Sequence, residues 1–261
     1  MEMRPRAKEA LESVQHALQD DCPKYGAIFA RSLEMIDPVF FSDEYEEFFW
    51  HCSTTIPNWL PRVLSVCATT EGNGAHGLLD IWRSVDFFEE AEDGLLAHAK
   101  DEAGHARLFI QLAKLVYPDN YAEGFIDGLA GSLRPVTRED QVKSGKCIDA
   151  RMLLDYLVQL NIVEMRTRIH LHFLAPNYYN MAPACSQPKV ERILNSLDAD
   201  ETRHMCYTAR LIEQMVDKCE IERMAGIYAC RLGDYHRHSL DHCNSAINDY
   251  GQGHFAKLFA H

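Results

Sequence analysis

Apolar residues recur every three to four positions through most of the chain, a period typical of amphipathic α-helices. The sequence lacks the alternating runs of β-branched residues between turn signals that would predict strands. The pattern therefore predicts an all-α protein. Clusters of Gly, Pro, Asn and Asp divide it into expected helices at 4–20, 22–36, 43–72, 76–92, 95–116, 148–174, 189–217 and 219–248.

Length and charge limit the classes of function. The 261 residues suffice for one sizeable core and contain no obvious linker, so a single domain over 1–261 is expected. A formal net charge of -13 disfavours nucleic acids and anionic membrane surfaces as partners. The absence of an apolar run of about 18 residues and of a signal-peptide pattern predicts a cytoplasmic location. The nine cysteines form no CxxC pair, so neither a disulfide framework nor a zinc knuckle is predicted.

Two Glu-x-x-His strings, each preceded by Asp, are the strongest chemical signal: Glu102-x-x-His105 and Glu201-x-x-His204. On an α-helix, positions i and i+3 differ by about 4.5 Å in height and about 60° in direction. A carboxylate and an imidazole at this spacing converge, and apolar neighbours at helical spacing predict that both pairs face the core. Each pair is a candidate metal ligand pair.

Glu71 and Glu164 also follow apolar residues at helical spacing, so both are expected to point inward. A buried carboxylate is costly unless it is paired, hydrogen-bonded or bound to a cation. Four predicted helices would then each direct one carboxylate into the core.

The spacing between the carboxylates indicates how the helices pair. Glu164 and Glu201 are 37 residues apart, with their midpoint at Ala182-Pro183, inside the turn expected over 175–188. Antiparallel arms of equal length would bring these two residues to one height.

The other pair fits less well. Glu71 and Glu102 are 31 residues apart, and their midpoint at Asp86-Phe87 precedes the turn expected at Asp93-Gly94.

Three glycines after Glu71, at positions 72, 74 and 77, are unfavourable in a continuous helix. They indicate a π-bulge or an opening beside the metals, or else a helix that ends at Glu71, in which case Asp80 is the fourth carboxylate.

These residues resemble carboxylate-bridged di-iron proteins of the ferritin-like superfamily, most closely the branch of oxygenases, desaturases and ribonucleotide-reductase small subunits. The resemblance covers about residues 55 to 215. It implies a four-helix bundle with a long crossover, plus additional N- and C-terminal helices. It also implies that Glu102 and either Glu201 or Glu164 bridge two metals, with one histidine on each. The expected ligand set is Glu71, Glu102, His105, Glu164, Glu201 and His204.

The resemblance implies supporting roles for further residues. A metal-bound imidazole usually donates its second N–H to a carboxylate, so Asp101 is expected to orient His204 and Asp200 to orient His105. Arg203 is expected to pair with Asp101. Thr167 resembles a hydroxyl near the oxygen-binding side of the metals and is the candidate catalytic residue.

A substrate pocket is expected beside the metals, lined by His98, Phe109 and Arg168. His98 is alternatively an added ligand or a polar core residue, and Arg168 a structural salt-bridge partner. Phe109 occupies the position of the radical-forming tyrosine of ribonucleotide-reductase small subunits, and the segment Gly253–Phe259 lacks their acidic docking tail. Radical generation for nucleotide reduction is therefore not expected.

The function implied is that of an O2-dependent di-iron, or Mn/Fe, oxygenase or oxidase acting on a small organic substrate. Hydroxylation, N-oxygenation, desaturation and oxidative cleavage remain open, as do an external electron donor and a homodimer. The alternative is a ferritin-like iron-handling protein whose substrate is Fe(II) itself, and a metal-free helical scaffold is a third interpretation.

Overall fold

The computed structural model describes residues 21–145 and 147–250, together with Glu12 and His16. All regular structure in this part of the chain is helical, as the sequence predicted. The α-helices are α1 Pro23–Met35, α2 Asp43–Thr55, α3 Trp59–Trp82, α4 Glu89–Val116, α5 Phe125–Ser132, α6 Ala150–Met181, α7 Gln187–Met215 and α8 Ile221–Tyr250, with 3-10 turns at Val39–Phe41 and Lys218–Glu220.

Other predictions fall elsewhere in the chain. Most of the helix expected over 4–20 and the segment Gly253–Phe259 lie outside the described residues. None of the described helices has both the length and the apolarity needed to cross a membrane.

Packing divides the chain into two compact units. Of the described residues, the first unit comprises those up to Ile56, those from Leu154 to Phe173 and those from Glu201 onward, and the second comprises those from Pro57 to Leu153 and from Leu174 to Asp200. The expectation of one domain over 1–261 stays a prediction.

The first unit is built around aromatic side chains between α1 and α8. Phe29 of α1 lies edge-on to Tyr228 of α8 and to Phe41 of the nearby 3-10 turn, with ring centroids 5.7 and 6.4 Å apart. Burial of such rings is the main source of packing energy in a helical core.

The second unit is built on the pairing of α3 with α4, with the short α5 packed against both. The single helix expected over 43–72 is wrong, because α2 ends at Thr55 and α3 begins at Trp59. Pro57-Asn58 interrupts the helix, and Asn58 takes a left-handed conformation with φ of 59°. Asn tolerates that conformation better than most residues, so this dipeptide was a readable turn signal.

The turn expected at Asp93-Gly94 is also wrong, because both residues lie within α4. The real turn spans 83–88 and contains the midpoint between Glu71 and Glu102. Three glutamates in the first turn of α4 interact favourably with the positive end of the helix dipole and favour a start at Glu89.

The turn expected over 175–188 exists but begins later than expected, since α6 continues through Pro176 to Met181. A proline inside a helix removes one backbone hydrogen bond, and the buried Leu174 and Tyr178 on either side hold this stretch in the core. The chain turns instead at 182–186, which includes the Ala182-Pro183 midpoint between Glu164 and Glu201.

Candidate metal centre

The second unit brings together Glu71 of α3 with Glu102 and His105 of α4. One ligand atom of each lies within 4.8 Å of the other two. Glu102 and His105 are only 5% and 1% exposed, and Glu71 is half-buried. Two neighbouring helices thus supply two carboxylates and one imidazole to a single point.

Asp200 fixes the orientation of the His105 ring within this unit. The Nε2 atom of His105 lies 3.1 Å from Oδ2 of Asp200, and its Nδ1 lies 3.4 Å from Oε1 of Glu102. An ionised carboxylate can only accept, so Nε2 carries the proton and Nδ1 is the nitrogen that faces Glu71 and Glu102. The structure therefore places Asp200 where the orienting role requires it, and the role itself stays a prediction.

The electrostatics of this group favour an ionised carboxylate beside a positive charge. Burial would raise the pKa of Glu102, but interactions with Glu71, His105 and His98 outweigh it and hold the pKa well below its usual value. Burial would lower the pKa of His105, yet Glu102 and then Asp200 raise it. The interior of the second unit thus stabilises charge at the point where a cation would bind.

The first unit contains a matching group on α6 and α7. Nδ1 of His204 lies 3.6 Å from Oε2 of Glu164 and 4.0 Å from Oε2 of Glu201. All three residues are buried, with exposures of 1%, 4% and 1% for His204, Glu164 and Glu201. The donor set is again two carboxylates and one imidazole.

A buried hydrogen-bond network beside this group was missed by the sequence analysis. The side-chain oxygen of Asn161, one turn before Glu164, accepts from the hydroxyls of Tyr25 and Tyr228 at 2.7 and 2.5 Å. Its amide nitrogen donates to the Met205 carbonyl and to Oγ1 of Thr208 at 3.0 and 2.9 Å. The network joins α6 to α1, α7 and α8. The sequence signal for this network was a single Asn on an otherwise apolar helix face.

The glycines after Glu71 lie within a regular α-helix, without a π-bulge. Gly74 is exposed, and a Cβ atom there would lie 3.8 Å from Oε2 of Glu102, so this glycine lies directly beside the carboxylate. The alternative that placed Asp80 in the ligand set is wrong. The Asp80 side chain is 73% exposed and pairs with Arg83 at 2.7 Å, because it lies on the outer face of α3.

The remaining predicted site residues are spread over α4, α6 and α7. Phe109 is buried, Asp101, Thr167 and Arg168 are half-buried, and Arg203 is exposed. Arg168 lies near enough to Cys206 to lower the pKa of that thiol, although burial dominates and raises it. The pairing of Asp101 with His204 and Arg203, the catalytic role of Thr167 and the pocket roles of His98, Phe109 and Arg168 stay predictions.

No family model, curated protein or solved structure matches this chain. The kind of ion that these residues could bind therefore follows from their donor atoms alone. Carboxylate and imidazole suit iron, manganese and zinc, and no thiolate belongs to either group. The two carboxylates of each group carry two negative charges, which one divalent cation neutralises. The residues of the second unit therefore fit a divalent metal ion, and those of the first unit supply the same types of donor atom.

Proposed function

We propose that this protein is a ferritin-like, non-haem di-iron oxidoreductase, with Mn/Fe as the alternative metal pair, which uses O2 to oxidise a small organic molecule. One observation carries the proposal: each unit holds the same set of donors, two glutamates and one histidine, and all of these residues except the half-buried Glu71 are buried.

In the proposal, Glu71, Glu102 and His105 hold one ion, and Glu164, Glu201 and His204 hold the other. Two iron ions so held supply electrons to O2 and the oxidising power that acts on the substrate.

The protein's own contribution is to position these ligands and to exclude water. Asp200 keeps Nδ1 of His105 directed at the carboxylates, and the Asn161 network fixes α6 against α7. Ala99 and Ala106, on the helix that carries Glu102, are 0% and 1% exposed. Their small apolar side chains keep the surroundings of the carboxylates dry, which strengthens every charge interaction there.

The test is metal content and O2 consumption, measured on anaerobically Fe(II)-loaded protein. We expect about two iron ions per chain and rapid O2 consumption. Glu201→Ala should lose at least one ion and the O2 consumption, whereas Glu191→Ala, an exposed glutamate on the same helix, should lose neither. Full metal occupancy in Glu201→Ala, or no tight metal binding by the wild type, would disprove the proposal.

The same measurements separate the alternatives. An iron-handling protein would take up many more than two ions per chain and elute as a large assembly. A metal-free scaffold would show the same melting temperature with and without a chelator.

A further inference from the structure

His98 belongs to the same face of α4 as Glu102 and His105. The three residues occupy positions i, i+4 and i+7, which differ in direction by at most about 60° on an α-helix. His98 is 1% exposed, so its ring lies entirely within the protein. The sequence alone left it as a pocket residue, an added ligand or a polar core residue.

The distances show what the ring faces. Nε2 of His98 lies 3.2 Å from Oε1 of Glu102, and Nδ1 of His105 lies 3.4 Å from the same oxygen. A single carboxylate oxygen thus has an imidazole nitrogen on each side. Two ligand atoms at right angles, each about 2.1 Å from a metal, are about 3.0 Å apart, so both separations are those of neighbouring ligands.

We propose that Nε2 of His98 is a metal ligand, so that the protein binds its ions with four glutamates and three histidines. The inference rests on the proposed function, since it adds a ligand to the same site. With His98, the second unit alone offers two imidazoles together with the carboxylates of Glu71 and Glu102. Two imidazoles and at least one carboxylate are the donor composition typical of non-haem Fe(II) oxygenases.

A third imidazole has a chemical consequence. Nitrogen donors favour iron over manganese, whereas carboxylates suit manganese well. A site with three imidazoles is therefore expected to prefer iron to a greater degree than a site with two.

The experiment uses Zn(II), a diamagnetic probe, and the full chain labelled with 15N-histidine. Two-bond 1H–15N spectra distinguish protonated, unprotonated and metal-bound ring nitrogens. On saturation with Zn(II), we expect metal-bound signals from Nδ1 of His105, Nδ1 of His204 and Nε2 of His98. His98→Gln should remove only the last of these, and His76→Gln, whose ring bonds to the Arg134 carbonyl, should leave all three.

Zn(II) affinity provides a second measurement. Gln retains an N–H that can donate to Glu102, so a hydrogen-bonding role would survive His98→Gln with little loss of affinity. Loss of a ligand should instead weaken Zn(II) binding by at least about 100-fold, the upper end of the effect of removing a residue that only supports a ligand.

The outcomes separate the two proposals. Metal-bound signals from His105 and His204 with Nε2 of His98 still protonated would overturn this inference and leave the proposed function standing. No metal-bound histidine at saturating Zn(II) would overturn both. The wild-type spectrum alone decides the matter if His98→Gln does not fold.

Discussion

Replacing Asn161 by Leu should destabilise the protein strongly, because Asn161 joins four helices through its side chain. Leu has nearly the same shape as Asn, so Asn161→Leu removes the hydrogen bonds with little change in packing. Asn161 and both tyrosines that donate to it are at most 1% exposed. Burial raises the pKa of both phenols, so each hydroxyl keeps its proton and requires an acceptor.

The size of the effect follows from the hydroxyls that lose their acceptor. A buried polar group left without a partner costs about 1–3 kcal/mol, so the Tyr25 and Tyr228 hydroxyls together predict a loss of about 2–6 kcal/mol. Removing both hydroxyls as well should recover most of this loss, because replacing all partners by apolar groups is nearly neutral. The triple variant Asn161→Leu, Tyr25→Phe, Tyr228→Phe is therefore expected within about 2 kcal/mol of the wild type.

Urea unfolding followed by far-ultraviolet circular dichroism measures these differences in the free energy of unfolding. A metal titration adds a second readout, since Asn161 precedes Glu164 by one turn and its partners Met205 and Thr208 follow His204. The triple variant should regain stability but bind metal more weakly than the wild type. A loss below about 1 kcal/mol in Asn161→Leu, or no recovery in the triple variant, would refute the proposed network.

Three further changes test the glycines, the orienting aspartate and a buried histidine. Gly77→Ala should raise the free energy of unfolding by about 0.5–1 kcal/mol in urea, because a Cβ atom there would meet nothing within 4 Å. Gly72→Ala should raise it less, or lower it, because a Cβ atom there would lie 2.9 Å from a Leu133 methyl. Asp200→Asn should weaken metal binding by about 10–100-fold in a competition titration, because it removes the charge that orients His105; unchanged affinity would contradict that role. Burial, and then nearby positive charge, hold the pKa of His170 in the folded protein well below 6.5. As the pH falls, this histidine therefore gains a proton in the unfolded chain before it does so in the folded protein. Between about pH 7.5 and about pH 5, the free energy of unfolding of the wild type should fall by about 2 kcal/mol more than that of His170→Gln. Equal falls in the two proteins would contradict the lowered pKa of His170.

The sequence predicted the helical class and the inward faces of the ligand helices because both depend on local periodicity. Glu102 and His105 lie on one side of α4 as their spacing requires, and Glu201 and His204 do so on α7. An i, i+3 relation is fixed by helix geometry alone, so it needs no knowledge of the partner helix.

The turns were predicted less well, because Gly and Pro were given too much weight. Gly94 and Pro176 both lie inside helices, although each residue disfavours helix locally. Glutamates in the first turn offset this cost in the helix of Gly94, and burial offsets it in the helix of Pro176. Each hairpin midpoint nevertheless falls within a real turn, at 83–88 and at 182–186. The midpoint between the two carboxylates of a helix pair therefore predicted the position of the turn better than Gly and Pro did.

What the sequence could not provide are contacts set by tertiary packing. No spacing rule relates Asn161 to Tyr25, 136 residues away, and the contact of His105 with Asp200, 95 residues away, was expected only through the resemblance. These contacts orient side chains that local geometry has already turned inward. Helix periodicity therefore selects the candidate ligands, and we expect long-range hydrogen bonds to determine how precisely they are held. Variants of Asn161 and Asp200 should accordingly alter metal affinity while leaving the number of bound ions unchanged, whereas variants of the glutamates should alter the number itself.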